Sequence, residues 1–147
     1  MIADIDSIIY AYLKTCTTLT ALIGGANPRI YCPRLPENAT LPAVSFFCRG
    51  GVSTPYIPGL VTPSIQFDCW AEDIVDGLTG PKAARQVYRA LYDNLQGIQN
   101  VAVGDDPPGY QIMSAIEEVQ GQDLVDIDVP NYFRTLCFFS IMIRADT

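Results

Sequence analysis

The sequence predicts an α+β domain: a mainly antiparallel sheet of about four to five strands with two principal helices packed on one face. Three observations carry this prediction. Two segments repeat apolar residues at helical spacing, one near the N-terminus and one in mid-chain. Several other segments alternate or run apolar over strand lengths. Their order is helix, short strand, strand, strand, helix, strand, strand, which leaves a βαβ crossover at most an isolated feature.

The first helix is expected over residues 4–23, "DIDSIIYAYLKTCTTLTALI". Ile5, Ile8, Ile9, Tyr12, Leu13, Cys16, Leu19, Leu22 and Ile23 fall on one face. Asp4 or Asp6 suits the positive end of the helix dipole. Gly24-Gly25 ends it, because glycine enters the left-handed region without penalty. A short strand follows at Arg29–Cys32, then an elbow, "PRLPENATLP". Pro33, Pro36 and Pro42 lack backbone donors, so the elbow is neither helix interior nor central strand. Ala43–Arg49 alternates, with Val44, Phe46 and Cys48 on one face and Ala43, Ser45 and Phe47 on the other.

Residues 50–63, "GGVSTPYIPGLVTP", read as a long flexible loop with unusual apolar content: Tyr56, Ile57, Leu60 and Val61. Ser64–Glu72 alternates again. Ile65, Phe67, Cys69 and Ala71 are expected to face the core, and Gln66, Asp68 and Glu72 to face out. The second helix is expected over Pro81–Gln96, with Thr79 or Gly80 as cap and a buried stripe of Ala84, Val87, Tyr88, Leu91 and Leu95. Residues 98–109 read as a loop, Tyr110–Gln120 as a strand and "GQDLVDIDVPN" as a connection. The last strand, Tyr132–Arg144, is apolar on both faces. That pattern fits a strand in the middle of a sheet covered on both sides, or one packed into an assembly.

Length and composition limit the function. The chain has 147 residues, 49% hydrophobic and 17% charged, as expected of one folded domain spanning residues 1–147. A net charge of −7 argues against wrapping nucleic acid, which takes clustered Lys and Arg. No apolar run approaches the ~20 residues of a membrane span. Asp4 and Asp6 stand where a signal peptide needs positive charge, so a cytosolic location is expected. The five cysteines, Cys16, Cys32, Cys48, Cys69 and Cys137, form no C-x-x-C pair and read as buried free thiols.

The chain has no histidine. That removes Ser-His-Asp and Cys-His nucleophilic chemistry and the H-E-x-x-H metal sites. "GLTGPKAAR" places Gly77, Gly80 and Lys82 near a helix start but lacks phosphate-loop spacing. Asp123, Asp126 and Asp128 lack the Gly and Glu of a calcium loop and read as an acidic hairpin tip. Asp105-Asp106 precedes two prolines and reads as a turn. Glu117 and Glu118 are adjacent on a strand, so they point to opposite faces and do not pair as acid and base. Lys82, Arg85 and Arg89 fall along one face of the second helix, a basic stripe in an acidic protein. It is either a solvated face or a dock for an acidic patch, such as the segment with Asp126 and Asp128 on an identical neighbour. No cofactor, metal or catalytic constellation is expected.

The succession "LTALIGG", "RIYCPRLPENATLPAVSF", "IQFDCWAED" and "AARQVYRALYDNL" resembles the tail-completion and tail-terminator proteins of long-tailed bacteriophages. Arg29, Ile30, Tyr31, Leu35, Pro36, Ala39, Leu41 and Pro42 match that family's R-I-Y strand and L-P-x-x-A-x-L-P elbow. Gln66, Asp68 and Trp70 match the strand before its second helix. The similarity covers roughly residues 4 to 96; the last third fits only in its strand pattern. The resemblance implies a small α+β subunit of a ring, usually a hexamer. The ring caps the finished tail tube, halts its polymerisation and offers the surface to which the head attaches. It implies tube protein and head-completion or neck protein as partners, DNA passing through the lumen without specific binding, and a place in the virion after assembly in the bacterial cytoplasm. It implies no catalysis, no cofactor and no membrane. The candidate interface residues are Arg34, Pro36 and Pro42 of the elbow, Tyr56, Ile57 and Leu60, the basic Lys82, Arg85 and Arg89, and Asp126 and Asp128. The elbow reads as a stiff arm that loses little entropy on docking. The alternatives are a head-completion or neck protein of the same virus type, and a small carboxylate-dependent enzyme or ligand-binding domain.

Overall fold

The computed structural model describes residues 4–72, 79–103, 110–125 and 132–145. Its elements run α1 (Ile5–Lys14), α2 (Thr17–Thr20), β1 (Ile30–Tyr31), β2 (Ala43–Thr54), β3 (Ile57–Glu72), α3 (Gly80–Leu95), β4 (Gln99–Val103), β5 (Tyr110–Val125) and β6 (Tyr132–Ala145). The strands form one mixed sheet of six in the order β1-β2-β3-β6-β5-β4. The class is α+β, dominated by the sheet. The strand count exceeds the expected four to five, because Gln99–Val103 pairs with β5 where a loop was expected. Its sequence, "QNVAV", follows a glycine stop and buries only Val103, so it carries almost no alternation signal. Only β1 with β2 runs parallel; the other pairings are antiparallel.

The helix expected over residues 4–23 is broken. Thr15, Thr17 and Thr18 surround the break, and the Thr15 hydroxyl donates to the Tyr12 carbonyl at 2.6 Å. Such local bonds compete with the helix ladder. Burial nonetheless follows the predicted face: Ile8, Ile9, Leu13, Cys16, Leu19 and Ile23 are all buried. Asp4 occupies the N-cap position, but its carboxylate accepts the Ser7 hydroxyl at 2.7 Å instead of a backbone N–H. In α3 the predicted stripe of Ala84, Val87, Tyr88, Leu91 and Leu95 is buried as expected, and Thr79 is the N-cap.

The larger correction concerns residues 50–63, which are not a flexible loop. They complete a long β2–β3 hairpin: Gly51 pairs with Pro63, Val52 with Thr62 and Thr54 with Ile57. The glycines that suggested a loop make a bulge between Cys48 and Gly51. Gly50 has φ +105, and a Cβ on Gly51 would meet the Thr62 carbonyl oxygen at 2.3 Å. Pro63 sits at this bulge, where the ladder is already interrupted and a missing donor is tolerated. Similarly, β5 runs to Val125 rather than ending at Gln120, with bulges between Glu117 and Val119 and between Val119 and Gln122. Residues 73–78, 104–109 and 126–131, which include Gly77, Asp105, Asp106, Asp126 and Asp128, lie outside the described residues.

One face of the sheet supplies the core. Phe46, Ile65, Phe67, Cys69, Ile112, Ala115, Cys137, Phe139, Ile141 and Ile143 join the buried faces of the helices in one cluster. Phe67 has Phe46 on one side and Phe139 on the other, at centroid distances of 5.9 and 5.7 Å. Helix α3 lies on β3, β5 and β6, while α1 touches both β2 and β4. All five cysteines are free, and Cys16, Cys69 and Cys137 are buried; Cys32, expected inside, is exposed at the start of the elbow.

Two outcomes test this packing. Phe67→Ala should cost about 3–5 kcal/mol, because no neighbouring ring can collapse into the space. The urea midpoint should fall with the slope unchanged. Gly51→Ala should cost about 1–3 kcal/mol through the backbone clash with Thr62, measured the same way.

Candidate assembly surface

Strand β6 lies between β3 and β5, and its two faces have different fates. Thr135, Cys137, Phe139, Ile141 and Ile143 are buried beneath the helices. Leu136, Phe138, Ser140 and Met142 are half-buried on the opposite face, which no helix covers among the described residues. The registers show what surrounds them. Phe47, Gln66, Phe138 and Val119 lie in one row across β2, β3, β6 and β5. Ser45, Asp68, Leu136 and Gln122 lie in the next row, and Ala43, Trp70, Arg134 and Leu124 in the one beyond. Ile116, opposite Ser140, is 57% exposed. The result is a mixed surface, in which half-buried Phe47, Leu136, Phe138 and Met142 and exposed Ile116 and Val119 are interspersed with polar side chains.

A polar link runs over the middle of the face. The Arg49 guanidinium stacks on Phe138 at 3.9 Å and donates to the Ser64 hydroxyl at 3.1 Å. Ser64 in turn donates to Glu118 at 2.7 Å. Glu118 reaches this face because of the bulge beside it, while Glu117 points the other way and accepts the Tyr88 hydroxyl at 2.6 Å. That bond and burial push the Tyr88 phenol well above its ordinary range, burial contributing most.

The second link is built on Asp68. It was expected to face solvent as an outward strand position; it does lie on the outer face, yet it is only 5% exposed. Gln66 Nε2 donates to it at 3.2 Å and Arg134 sits at 3.5 Å. Arg134 also lies over Trp70 at 5.3 Å, Trp70 Nε1 donates to Ser45 at 2.9 Å, and Tyr132 meets Trp70 edge-on at 6.4 Å. Burial pushes the Asp68 carboxyl above its ordinary 3.8, against the pull of Arg134 and Gln66.

The elbow stands at this end of the sheet as a wall between two open grooves. Arg34 and Pro36 line both, and both are exposed. One groove, about 470 Å³, adds Trp70 and Tyr132; the other, about 420 Å³, lies towards α1 and adds Tyr10, Tyr31 and Cys32. Pro42, at the far end of the elbow, is half-buried, and its carbonyl accepts Arg29 Nε at 2.8 Å. That bond ties the elbow's exit to its entrance.

The hairpin end carries the other apolar candidates. Tyr56 is 89% exposed, Val52 73% and Ile57 52%, whereas Leu60 is half-buried opposite Arg144. Of the basic stripe, Lys82 and Arg89 are exposed on α3. Arg85 is engaged within the chain, with Asp123 at 3.1 Å and the Gly121 carbonyl at 3.3 Å. The sequence reading named the elbow and the hairpin apolars as candidates; Phe47, Ile116, Val119, Arg49 and the cluster around Asp68 enter only with the structure. The two-faced apolarity of β6 was the available signal; its neighbours across the sheet follow only from register.

Among the described residues, no group of three His, Cys, Asp or Glu could hold a metal ion. No helix among them is long and apolar enough to cross a membrane. No family model matches the chain, and no curated protein matches it.

The Asp68 cluster gives a pH test. Its folded-state carboxyl is raised, so the folded protein holds this proton more tightly than the unfolded chain does. Stability from this group is present below its ordinary value and is lost as pH rises through the raised one. Asp68→Asn should therefore gain stability relative to the parent as pH rises above about 4, read from paired denaturation curves across pH. A constant difference between the two proteins across that window would exclude this origin.

Proposed function

We propose that this protein is a structural virion component that forms a ring on the head-proximal end of a phage tail tube. There it ends tube polymerisation and presents the surface to which the head joins. The observation that carries the reading is the outer face of the sheet. The central strand places Leu136, Phe138 and Met142 on a side that no helix covers among the described residues, flanked by Phe47, Val119 and Ile116. A sheet face that carries such apolar side chains among polar ones is suited to burial against other protein chains. The resemblance adds the identity of those chains: identical neighbours, the tube protein and a head-completion protein. Its matched motifs fall on β1, the elbow, β2, β3 and α3. The net charge of −7 suits a lumen that DNA must pass without adhering.

Electron microscopy of the purified protein, alone and mixed with its tail-tube protein, tests the reading. Rings, or caps on tubes whose length stops growing, are the expected result. Uncapped tubes of unaltered length would move the protein to the head side of the neck, or out of the tail. Ile116→Asp places a charge on the outer face at an exposed position. Its thermal midpoint should stay within a few degrees of the parent, and capping should be lost. Normal capping by this variant would remove the outer face from the interface.

A further inference from the structure

Two charged side chains from well-separated strands of the outer face converge on one hydroxyl. Arg49 on β2 and Glu118 on β5 stand three strand spacings apart, roughly 14 Å across the sheet. Each sits at a bulge, Arg49 between Cys48 and Gly51 and Glu118 between Glu117 and Val119, and neither is paired in the register. Bulges re-aim side chains, and here both charges meet Ser64 on β3. Arg49 donates to it through Nε at 3.3 Å and Nη2 at 3.1 Å, and Ser64 donates onward to Glu118 at 2.7 Å. The strap so formed passes over β6, the strand between β3 and β5, and lays the guanidinium on the Phe138 ring at 3.9 Å.

The strap adds little to the fold. Arg49 and Glu118 are both exposed, and exposed charge pairs contribute little to stability. What it governs is access to Phe138. That ring lies in the row of Phe47, Gln66 and Val119, one position from the exposed Ile116 opposite Ser140. With the guanidinium against it, a chain arriving at the centre of the face meets a cation instead of an aromatic surface. Packing an apolar side chain there would strip water from Arg49 and Glu118 without offering them new partners, which is unfavourable. With the strap swung aside, the ring is free and both charges stay in solvent.

We infer that the Arg49–Ser64–Glu118 strap is an autoinhibitory contact: it covers Phe138 in the free subunit and must swing aside before a second copy of the chain packs on the centre of the outer face. The inference rests on the ring reading, which makes that face an interface, and adds a control on its engagement. A guanidinium stacked on a ring at an exposed site is held weakly. A docking chain can therefore displace the strap, while the free subunit is biased against joining. Removing the strap promotes association, the reverse of what losing an ordinary interface side chain does.

Sedimentation velocity over a series of concentrations reads that sign. Arg49→Ala should strengthen self-association about two- to fivefold over the parent, with a thermal midpoint within a few degrees of it. Ser64→Ala, which keeps the guanidinium but removes its tether, should act in the same direction. Arg49→Ala combined with Phe138→Ala should lose the gain, because the uncovered ring is its source. A gain that persists in the double variant overturns the cover. So does weaker association of Arg49→Ala, which would make Arg49 an interface residue, and so does identical behaviour of Arg49→Ala and parent at every concentration, both monomeric included. Mixing each protein with tail tubes separates this from the tail role. A Phe138-dependent gain without caps on tubes keeps the cover and removes the tail role. Caps by the parent with no gain in Arg49→Ala remove the cover and leave the ring reading standing.

Discussion

Phe67, held between Phe46 and Phe139, is the contact on which the rest of the molecule is arranged. The three rings belong to adjacent strands, β2, β3 and β6, and are fully buried on the same side of the sheet. Both α1 and α3 contribute buried side chains to that side. Alternation then fixes everything on the other side. Once Phe67 points inward, Gln66 and Asp68 must point outward, and their neighbours on β6, Phe138 and Leu136, must do the same. Which residues form the outer face is therefore not independent of the core; that Leu136 and Phe138 are apolar there, beside polar Gln66 and Asp68, is a separate property of the sequence.

The two borders of the sheet are handled differently. Past β4, the outer edge of β5 is closed by side chains of its own chain. Gln96 accepts the Glu117 N–H at 2.7 Å, and Arg85 donates to the Gly121 carbonyl. Both contacts fall at bulges, which already disfavour pairing with another strand. At the opposite border, β1 covers β2 only at Val44 and Ser45. Beyond Ser45 the outer edge of β2 has no strand partner among the described residues. The edge of β5 past β4 is thus engaged by its own chain, whereas the edge of β2 past β1 has no strand partner among the described residues.

Much of this was legible in the sequence, and the failures have physical causes. The faces of α1, α3 and β3 followed from periodicity alone, because each element buries one side and burial selects residue type. The hairpin was missed because Gly50-Gly51, Pro55, Pro58 and Pro63 are the residues that ordinarily interrupt a strand. Here the glycines form a bulge and Pro63 sits opposite it, a compensation that depends on cross-strand register. The break between α1 and α2 was missed because apolar spacing continues through it while the threonines bond locally. Asp68 was read as solvated because a carboxylate usually is; Gln66 and Arg134 hold it among half-buried aromatic side chains that no local window brings together. The elbow stood out because three prolines within ten residues restrict the chain whatever surrounds them.

The conversion of residues 50–63 from loop to ladder also has a mechanical consequence. In an antiparallel pair the hydrogen bonds run across the strands. A pull on the hairpin tip directed along β2 and β3 draws both strands the same way, so the load falls in shear on the ladder that holds β3 to β6, from Leu60 to Glu72. Bonds loaded side by side must yield together, whereas a pull across the sheet would open them one after another. Geometry alone thus makes this projection strong along one axis and weak along another, a directional stiffness that a floppy connection of the same length could not have.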